Sequence, residues 1–296
     1  MPAETIPSRS PDWRRAIRSV LLADEGYPAA LRDLADPPPV LWWIGEWATL
    51  QEPVVAVVGT RRATPYGYRV ARELVTALAA GGACIVSGMA LGIDAVAHHA
   101  ALDANGRTVA VLGTGVDVTY PRRHAALHRD IAQRGLVLSE LRPGARSHRG
   151  SFVNRNRLIA ALARLTIVVE APIGSGALKT SGCALDLGRD VAAVPGPIDS
   201  PQSRGCNDSI RDGAHPIACV EDALTLAGLA PRPRTGPRID DPVEMRVWDA
   251  LQQGAATLDE LCARANLPVS QCLAAITGLE LRGAVACALT GEIRPS

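Results

Sequence analysis

The sequence predicts an α/β fold with a doubly wound parallel sheet, followed by a small C-terminal winged-helix domain. Three observations support this prediction. Aromatic residues make up only 3% of the 296 residues, so the core has to be built from aliphatic side chains, as in layered α/β proteins. Short apolar runs alternate with helical patterns from residue 54 to residue 194. Residues 243–296 then carry three short helical segments and a hairpin pattern.

Each apolar run is bounded by glycine, proline or polar residues, which is typical of a strand buried on both faces. The predicted strands are Val54–Val58, Ala83–Val86, Thr108–Leu112, Leu136–Ser139, Leu165–Val169 and Val191–Val194. The helices predicted between them are Tyr66–Ala79, Asp94–Ala104, Arg122–Gln133, a helix that begins near Arg157, and Ala177–Leu187. Parallel strands need such crossover helices, so the pattern predicts a parallel sheet with helices on both faces.

We predict four segments along the chain: a short N-terminal lead-in or subdomain over residues 1–53, a Rossmann-like domain over 54–228, a linker over 229–242 and a winged helix over 243–296. The lead-in contains a short helix at Tyr27–Leu34 and a strand at Leu41–Gly45. Its tryptophans Trp42, Trp43 and Trp47 are better explained by packing than by ligand stacking. The linker is rich in Pro and Arg.

The predicted winged helix consists of three helices and two strands. These are Val243–Leu251, Thr257–Ala265, Val269–Leu281, Ala284–Ala288 and Glu292–Arg294. Thr257 and Glu260 have the spacing of a capping box. The third helix, which reads the major groove in many such domains, has no Lys or Arg before Arg282. We therefore expect it to contact a protein partner or a second copy rather than a DNA groove.

Composition excludes several classes of protein. The formal net charge is +1, which argues against indiscriminate coating of nucleic acid but allows a local basic groove. No apolar run reaches the ~18 residues of a membrane span, and the N-terminus has no signal-peptide pattern. The seven cysteines are scattered without a C-x-x-C pair, so neither a disulfide framework nor a zinc site is predicted. We expect a soluble cytoplasmic protein.

One stretch, residues 142–157, concentrates positive charge. It contains five arginines, no acidic residue and the single Phe of the chain, Phe152. It follows the fourth predicted strand, and we interpret it as a mobile loop before a helix. Cations beside an aromatic ring suit a phosphate backbone and one stacked base. The alternative is a solvated basic loop, and the stretch alone favours neither.

The other strand ends point to a polyanionic ligand. Glycine-rich loops follow most strands, as in Gly59-Thr60-Arg61, Ser87-Gly88 and Ser175-Gly176. Because glycine has no side chain, an anion can come close to the backbone N–H groups of such a loop and of the helix N-terminus that follows it. The cations predicted at the same edge of the sheet are Arg61, Arg149, Arg155, Arg157 and Lys179. Several phosphate subsites on several loops suit a nucleic-acid strand better than a small phosphate.

The sequence lacks the standard nucleotide and catalytic motifs. The first strand is not followed by G-x-G-x-x-G, and GSGALKT lacks the Gly that a phosphate loop places before its Lys. Nor does G-x-S-x-G follow a strand. The histidines at 98, 99, 124 and 128 form no metal-ligand frame and are interpreted as exposed or capping residues. We interpret Asp94 as an acid at a helix N-terminus. We predict no enzyme activity, cofactor or metal.

The motifs of this core resemble the DNA-processing protein A family (DprA, also called Smf). They are VAVVGTRRATPYG, VSGMALGIDAVAH, TVAVLGTGVDVTYP, SFVNRNRLIAALA, VVEAPIGSGALKT and VPGPIDSPQSRGCNDSIRDGA, which occur in order between residues 55 and 214. The resemblance implies an extended Rossmann fold, a homodimer, and a non-enzymatic protein that binds and protects single-stranded DNA in natural transformation. It also implies that the protein helps to load the RecA recombinase.

The resemblance also implies roles for particular residues. Arg61 matches a DNA-contacting arginine, and Arg149 stands at a basic position before the Phe of the family. The motif F-x-x-R-N-R is matched by Phe152, Arg155, Asn156 and Arg157. Loops lining the same pocket are matched by Gly59, Ser87 and Gly88. Lys179 departs from the family pattern, which has Ile or Met there; an added cation could bind phosphate or cap a helix.

Two alternative hypotheses remain. One is a Rossmann-like enzyme acting on a nucleoside phosphate, as in phosphoribohydrolases; these have a P-G-G-x-G-T loop, whereas this chain has Val194-Pro195-Gly196-Pro197. The other is a regulatory adaptor that acts through the C-terminal tail.

Overall fold

The computed structural model describes residues 16–148, 150–230, 239–288 and 291–295. The chain forms two compact units, Met1–Pro231 and Arg232–Ser296. Most of the predicted linker and Arg149 lie outside the described residues.

A nine-stranded sheet organises the described part of the first unit. Its strands are β1 (Arg18–Leu21), β2 (Val40–Gly45), β3 (Val54–Val58), β4 (Cys84–Ser87), β5 (Arg107–Val111), β6 (Leu136–Ser139), β7 (Leu165–Val168), β8 (Asp190–Ala193) and β9 (His215–Pro216). They lie in the order β1-β2-β6-β5-β4-β3-β7-β8-β9. Strands β3 to β9 are mutually parallel, while β2 is antiparallel to both β1 and β6. The predicted doubly wound α/β fold is confirmed.

Helices cover both faces of the sheet. They are α1 (Ala29–Arg32), α2 (Pro65–Ala80), α3 (Ile93–Asp103), α4 (Ala125–Arg134), α5 (Ser151–Leu162), α6 (Gly176–Asp186), α7 (Arg204–Arg211) and α8 (Val220–Leu226). Strand β3 shows how the layers form. Its Val54, Ala56 and Val58 pack with α5, whereas the alternate residues Val55 and Val57 pack with α2 and α3. Two aliphatic cores therefore enclose the central strands.

The structure corrects the start of α5. The sequence predicts a mobile loop up to about Arg157, but the helix begins at Ser151, immediately after Gly150, whose φ is +94°. The Ser151 hydroxyl donates to the carbonyl of His148 at 3.0 Å. The first turns of α5 lack the apolar spacing that reveals most helices, because Arg155 and Asn156 occupy buried positions there.

The predicted lead-in contributes two strands to the sheet. The predicted strand at Leu41–Gly45 is confirmed as part of β2, and β1 was not predicted. Trp43 and Trp47 lie with their ring centroids 4.5 Å apart and pack against the core on the α5 face. Their interpretation as packing residues is confirmed. β1 escapes prediction because three of its four residues are exposed or polar and give no apolar run.

The second unit contains α9 (Pro242–Leu251), α10 (Leu258–Ala265) and α11 (Val269–Leu281), with the hairpin strands β10 (Val285–Cys287) and β11 (Ile293–Pro295). The predicted three helices and hairpin are confirmed. So is the capping box, in which Thr257 and Glu260 exchange hydrogen bonds with each other's backbone N–H groups. In the described part of the chain, every helix is too short or too polar to cross a bilayer.

Candidate nucleic-acid interface

The strand order creates a crevice at one edge of the sheet. From β3 the chain proceeds outward to β4 and β5, whereas β7 and β8 lie on the other side of β3. Ligands of such sheets bind outside the carboxyl ends of the strands where the order reverses. A cavity of about 310 Å³ opens there, which we call the groove. The predicted site residues in its lining are Gly59, Thr60, Arg61, Phe152, Arg155, Asn156, Ser175 and Gly176.

Helix α5 presents one face to the groove. Phe152, Arg155, Asn156 and Ile159 all line it, and they are spaced at i, i+3, i+4 and i+7. This spacing places them on a single side of an α-helix. Because α5 begins at Ser151, the last part of the basic stretch is helical and forms one wall of the groove.

The loop after β3 carries two exposed arginines, Arg61 and Arg62, into the groove. Its backbone is tied to the end of β7, because Thr60 N–H donates to the main-chain oxygen of Glu170 at 2.6 Å. Gly59 allows this approach. A Cβ built there would lie 2.4 Å from Cγ1 of Ile93 and 3.0 Å from the same Glu170 oxygen.

Arg61, Phe152 and Tyr120 form a cluster at the mouth of the groove. The Arg61 guanidinium lies 5.6 Å from the centroid of the Phe152 ring, within the range of a cation–π contact. The Tyr120 ring centroid lies 5.0 Å from that of Phe152. A smaller cavity of about 50 Å³ lies beside these three side chains and is also lined by Gly88 and Arg155.

Arg155 is a buried cation, only 3% exposed. Its guanidinium donates to the Val111 carbonyl at 2.5 Å and lies against the backbone of Gly88, where a Cβ would approach Nη1 to 1.9 Å. Its Nε has no hydrogen-bond partner among the described residues. Burial lowers the pKa of Arg155 to about 10, and this is partly offset by the nearby Asp94 carboxylate. The remaining donor capacity of Arg155 makes it a candidate ligand for an anion.

Asp94 organises the loop after β4. Its carboxylate accepts hydrogen bonds from the N–H groups of Gly88, at 3.1 Å, and Ala90, at 3.3 Å. Burial raises the pKa of this carboxyl, while Arg155 opposes the rise. Asp94 therefore does more than compensate a helix dipole, as its sequence position suggested. The preceding Ser87 is buried and donates to the Val57 carbonyl at 2.7 Å, so its hydroxyl holds two strands together.

The start of α6 forms the opposite wall. The Ser175 side chain caps the helix by accepting from Leu178 N–H at 3.4 Å. Asn156 donates from Nδ2 to the Gly176 carbonyl at 3.1 Å, which links α5 to α6. Gly176 and Ala177 line the groove at a helical turn whose first N–H groups have no intrahelical acceptor. This wall can donate hydrogen bonds to an anion.

Among the described residues, three predicted site residues, Ser87, Arg157 and Lys179, lie outside the lining of both cavities. Arg157 forms a half-buried ion pair with Glu140, its Nη2 lying 2.5 Å from Oε2. Lys179 is exposed on α6. Arg149 lies outside the described residues.

Sequence reasoning missed other contributors, notably Tyr120 and the carboxylate of Glu170. Tyr120 stands nine residues beyond β5 in an irregular loop, where only the Tyr-Pro dipeptide hinted at a turn. The interpretation of the histidines as exposed or capping residues is confirmed for the exposed His99 but is wrong for His98 and His128. Both His98 and His128 are fully buried. Nδ1 of His98 is hydrogen-bonded to the Thr108 hydroxyl, 2.7 Å away.

The two units together define a Rossmann-like α/β protein that carries a winged helix. Residues 18–228 match the family model described as DNA recombination-mediator protein A, and residues 230–288 match the DprA winged helix domain. The chain therefore belongs to the DprA/Smf family of DNA-processing proteins. The resemblance stated from the sequence motifs is confirmed.

Relatives and solved structures agree with this assignment. The chain is 44% identical over 276 residues to a putative DNA processing protein DprA of Mycobacterium tuberculosis, covering 90% of this chain and 71% of that protein. It matches the X-ray structure of DprA from Streptococcus pneumoniae with a TM-score of 0.68 and 41% identity, over 71% of this chain and 74% of the other. DprA from Helicobacter pylori, whose structure is described in terms of its single-stranded DNA binding mode, matches with a TM-score of 0.65 and 32% identity, over 72% of this chain and 98% of the other.

Proposed function

We propose that the groove binds single-stranded DNA. The observation that carries the proposal is the cluster of Arg61 and Phe152 above a groove at the point where the strand order reverses. Exposed arginines bind phosphates, and aromatic rings stack on unpaired bases; together they are the usual components of a single-strand site. The Helicobacter pylori relative, named for its single-stranded DNA binding mode, supports the same ligand.

Each wall of the groove has a part in this proposal. Arg61 and Arg62 neutralise backbone phosphates from the β3 loop. The first turn of α6, with Ser175 and Gly176, donates backbone hydrogen bonds to a further phosphate oxygen. Arg155 supplies a buried positive charge between these walls. A duplex keeps its bases stacked inside, so it cannot use the aromatic cluster and should bind more weakly.

We assign the protein a binding role rather than a catalytic one. The two acids at the groove, Asp94 and Glu170, each accept hydrogen bonds from neighbouring main-chain N–H groups. Both carboxylates are therefore engaged in holding neighbouring loops, which supports a binding role rather than general-base catalysis. Release of free base from nucleoside monophosphates would contradict this assignment and revive the nucleoside phosphate hypothesis.

The wider role we propose is that of a recombination mediator. The protein would act as a homodimer in the cytoplasm, protect incoming single-stranded DNA in natural transformation and load RecA onto it. The family description and the DprA relatives support the mediator function. A reconstituted assay in which the protein speeds RecA assembly on oligonucleotides coated by single-strand-binding protein tests the loading step, and sedimentation velocity tests the dimer.

The DNA-binding proposal is tested by fluorescence anisotropy with labelled oligo-dT and a matched duplex over a salt series. Arg61→Ala should weaken oligo-dT binding and reduce the slope of log affinity against log salt by about 0.7, the value for one phosphate contact on a single strand. Arg72→Ala is the control. Arg72 is exposed and forms an ion pair with Asp103, the last residue of α3. The groove is lined by the first turn of α3, so Arg72 lies at the end of that helix away from the groove. An unchanged slope in Arg61→Ala would remove Arg61 from the interface.

A further inference from the structure

Four exposed arginines lie outside the groove at the same edge of the sheet. Arg122 and Arg123 belong to the connection after β5, and Arg142 and Arg146 belong to the connection after β6. Both strands run parallel to β3, so these connections start at the carboxyl ends of strands, as the groove does. Among the described residues, the four arginines lie outside the lining of both cavities. We call the surface that they form the outer ridge.

The outer ridge begins at the mouth of the groove. The smaller cavity is lined by Arg61 and Pro121, and the short 3-10 turn Arg122–His124 starts immediately after Pro121. His124 is hydrogen-bonded through Nδ1 to the Met89 carbonyl at 3.0 Å, and Met89 lines the same cavity. The turn that carries two of the ridge arginines is therefore fixed beside the cation that we place in the DNA site.

The connections after β5 and β6 are also hydrogen-bonded to each other. The N–H of Gly115 donates to the Ala145 carbonyl at 2.8 Å, and the N–H of Gly144 donates to Oδ1 of Asp117 at 2.7 Å. A Cβ built on Gly115 would lie 2.6 Å from the main-chain oxygen of Arg142. The two pairs of arginines therefore project from two loops that support each other.

The positive charge of the outer ridge is not neutralised by the acids of its own loops. The only acids in the two connections are Asp117 and Glu140. Asp117 accepts the backbone hydrogen bond just described, and Glu140 pairs with Arg157 on α5. Among the described residues, the four ridge guanidinium groups take part in no ion pair or hydrogen bond. Unpaired guanidinium groups at a surface favour an anionic partner, and phosphate is the anion that DNA presents.

We propose that single-stranded DNA bound in the groove continues over the outer ridge, where Arg122, Arg123, Arg142 and Arg146 bind its phosphates. This inference rests on the proposed function and extends it to a second set of contacts. The two connections contain no Phe, Trp or Tyr beyond Tyr120, which stands at the mouth of the groove. The DNA should therefore be held on the ridge by its backbone alone, so these contacts add affinity and length to the site but no base preference.

The test is a length series of oligo-dT measured by fluorescence anisotropy. An oligonucleotide of about 5 nucleotides should occupy the groove alone, whereas one of about 20 nucleotides should also reach the ridge. In Arg122→Gln/Arg123→Gln, the salt slope for the long oligonucleotide should fall by about 1.4, the value for two phosphate contacts on a single strand. Over the tenfold range from about 1 M to about 0.1 M salt, this corresponds to an affinity loss of about 25-fold at the lower concentration. Binding of the short oligonucleotide should not change.

The second pair of arginines and a matched control complete the set of variants. Arg142→Gln/Arg146→Gln should behave like the first ridge variant. Arg69→Gln/Arg72→Gln is the control, because it removes the same charge from α2, where each arginine is paired with an acid, and it should leave the salt slope unchanged. Arg61→Ala, in contrast, should weaken the binding of both lengths, because Arg61 lies in the groove.

Oligonucleotides with neutral methylphosphonate linkages test the same contacts from the side of the DNA. Two versions of the long oligo-dT carry these linkages in the 5′ half or in the 3′ half. We expect one version to bind the wild type more weakly than unmodified DNA and to lose little further affinity in the ridge variants, because the same contacts are already absent. That version also reveals which end of the DNA lies on the ridge.

The outcomes separate this inference from the proposed function. If the ridge variants bind the long oligonucleotide as well as the wild type does, the inference is wrong, the groove stands as the DNA site, and the arginines are left for an acidic protein segment. If they weaken the short oligonucleotide as much as the long one, the substitutions act on the groove, which also overturns the inference. An equal loss in the α2 control would reduce the effect to overall charge and overturn it too. Absence of wild-type binding at both lengths would remove both proposals.

Discussion

Glu170 holds Thr64 through both of its carboxylate oxygens. Oε2 accepts the Thr64 N–H at 2.9 Å, and Oε1 accepts the Thr64 hydroxyl at 2.6 Å. The main-chain oxygen of the same residue accepts Thr60 N–H at 2.6 Å. Thr60 and Thr64 enclose the segment with Arg61 and Arg62, so one buried residue at the end of β7 fixes both ends of the loop that carries the exposed arginines.

From this contact we predict that Glu170→Ala weakens single-stranded DNA binding by releasing Arg61. Two partly buried hydrogen bonds are lost, so we expect the ordered form of the loop to be destabilised by roughly 1–3 kcal/mol and the affinity for single-stranded DNA to fall by about tenfold or more. The measurement is a double-mutant cycle by anisotropy. In an Arg61→Ala background the effect of Glu170→Ala should largely disappear. Additive losses would mean that Glu170 acts on the fold in general, and Glu73→Ala, exposed on α2, is the control.

Gly88 should tolerate no side chain. A Cβ there would lie 1.9 Å from Nη1 of Arg155, and the guanidinium is held by the Val111 carbonyl on its other side. We therefore expect Gly88→Ala to displace Arg155, to destabilise the protein by about 1–3 kcal/mol and to weaken DNA binding. Urea unfolding and anisotropy measure the two effects. Gly182→Ala is the matched control, because no atom lies within 4 Å of a Cβ built there; equal behaviour of the two variants would contradict the prediction.

Arg157 should matter for stability more than for DNA binding. Its ion pair with Glu140 is largely shielded, with side-chain exposures of 22% and 17%. Burial raises the pKa of Glu140 and Arg157 lowers it, so Arg157→Ala leaves a poorly solvated acid. We expect a loss of about 2–3 kcal/mol, between the values for exposed and fully buried pairs. The salt slope of DNA binding, measured on the folded fraction, should stay at the wild-type value. A reduced slope would show that Arg157 contacts phosphate.

His98 should make stability depend on pH. The Thr108 hydroxyl donates to the Ile85 carbonyl at 3.0 Å, so it accepts from Nδ1–H of His98 and leaves Nε2 as the unprotonated nitrogen. Nε2 is buried without a hydrogen-bond partner among the described residues. Burial lowers the pKa of His98 to about 3, and neighbouring positive groups add to the shift. A proton on this ring would therefore be a buried, unpaired charge.

The difference in proton binding between the unfolded and folded states sets the direction in which stability changes with pH. Below its ordinary pKa of 6.5 the unfolded state binds a proton that the folded state rejects, so this stability is present above pH 6.5 and is lost as the pH falls toward 3. The expected loss is up to about 1.4 kcal/mol per pH unit. Urea unfolding at pH 7, 6 and 5 should give a shallower pH dependence for His98→Asn than for the wild type. The exposed His215→Asn should change little, and parallel curves for His98→Asn would refute the prediction.

The sheet was predictable because buried parallel strands are continuous aliphatic runs. Val54–Val58 has this pattern at every position, and the structure reproduces its bounds. The first turns of α5 were not predictable, because their inward positions are polar. Arg155 and Asn156 are buried there by hydrogen bonds to carbonyls from distant parts of the chain, and no local pattern records those partners.

The site was predictable where it depends on single residues at strand ends, as for Arg61. It was not predictable where it depends on pairs that only the fold brings together. Glu170 and Thr64 are separated by 106 positions in the sequence. Tyr120 lies in the loop that follows β5, whereas Phe152, which it contacts, lies on α5. A sequence pattern gives the chemistry of each member of such a pair but not the contact between them.

The early start of α5 also has a consequence for how its arginines should be studied. Successive residues of a helix are turned by about 100°, so Arg155 and Arg157 point to nearly opposite sides of the same rod. One side chain ends beside the groove and the other ends on Glu140. Two arginines of one short motif, separated only by Asn156, therefore have different surroundings, and we expect the first to affect ligand affinity and the second to affect the stability of the fold. A variant that changes both at once would merge two unrelated phenotypes.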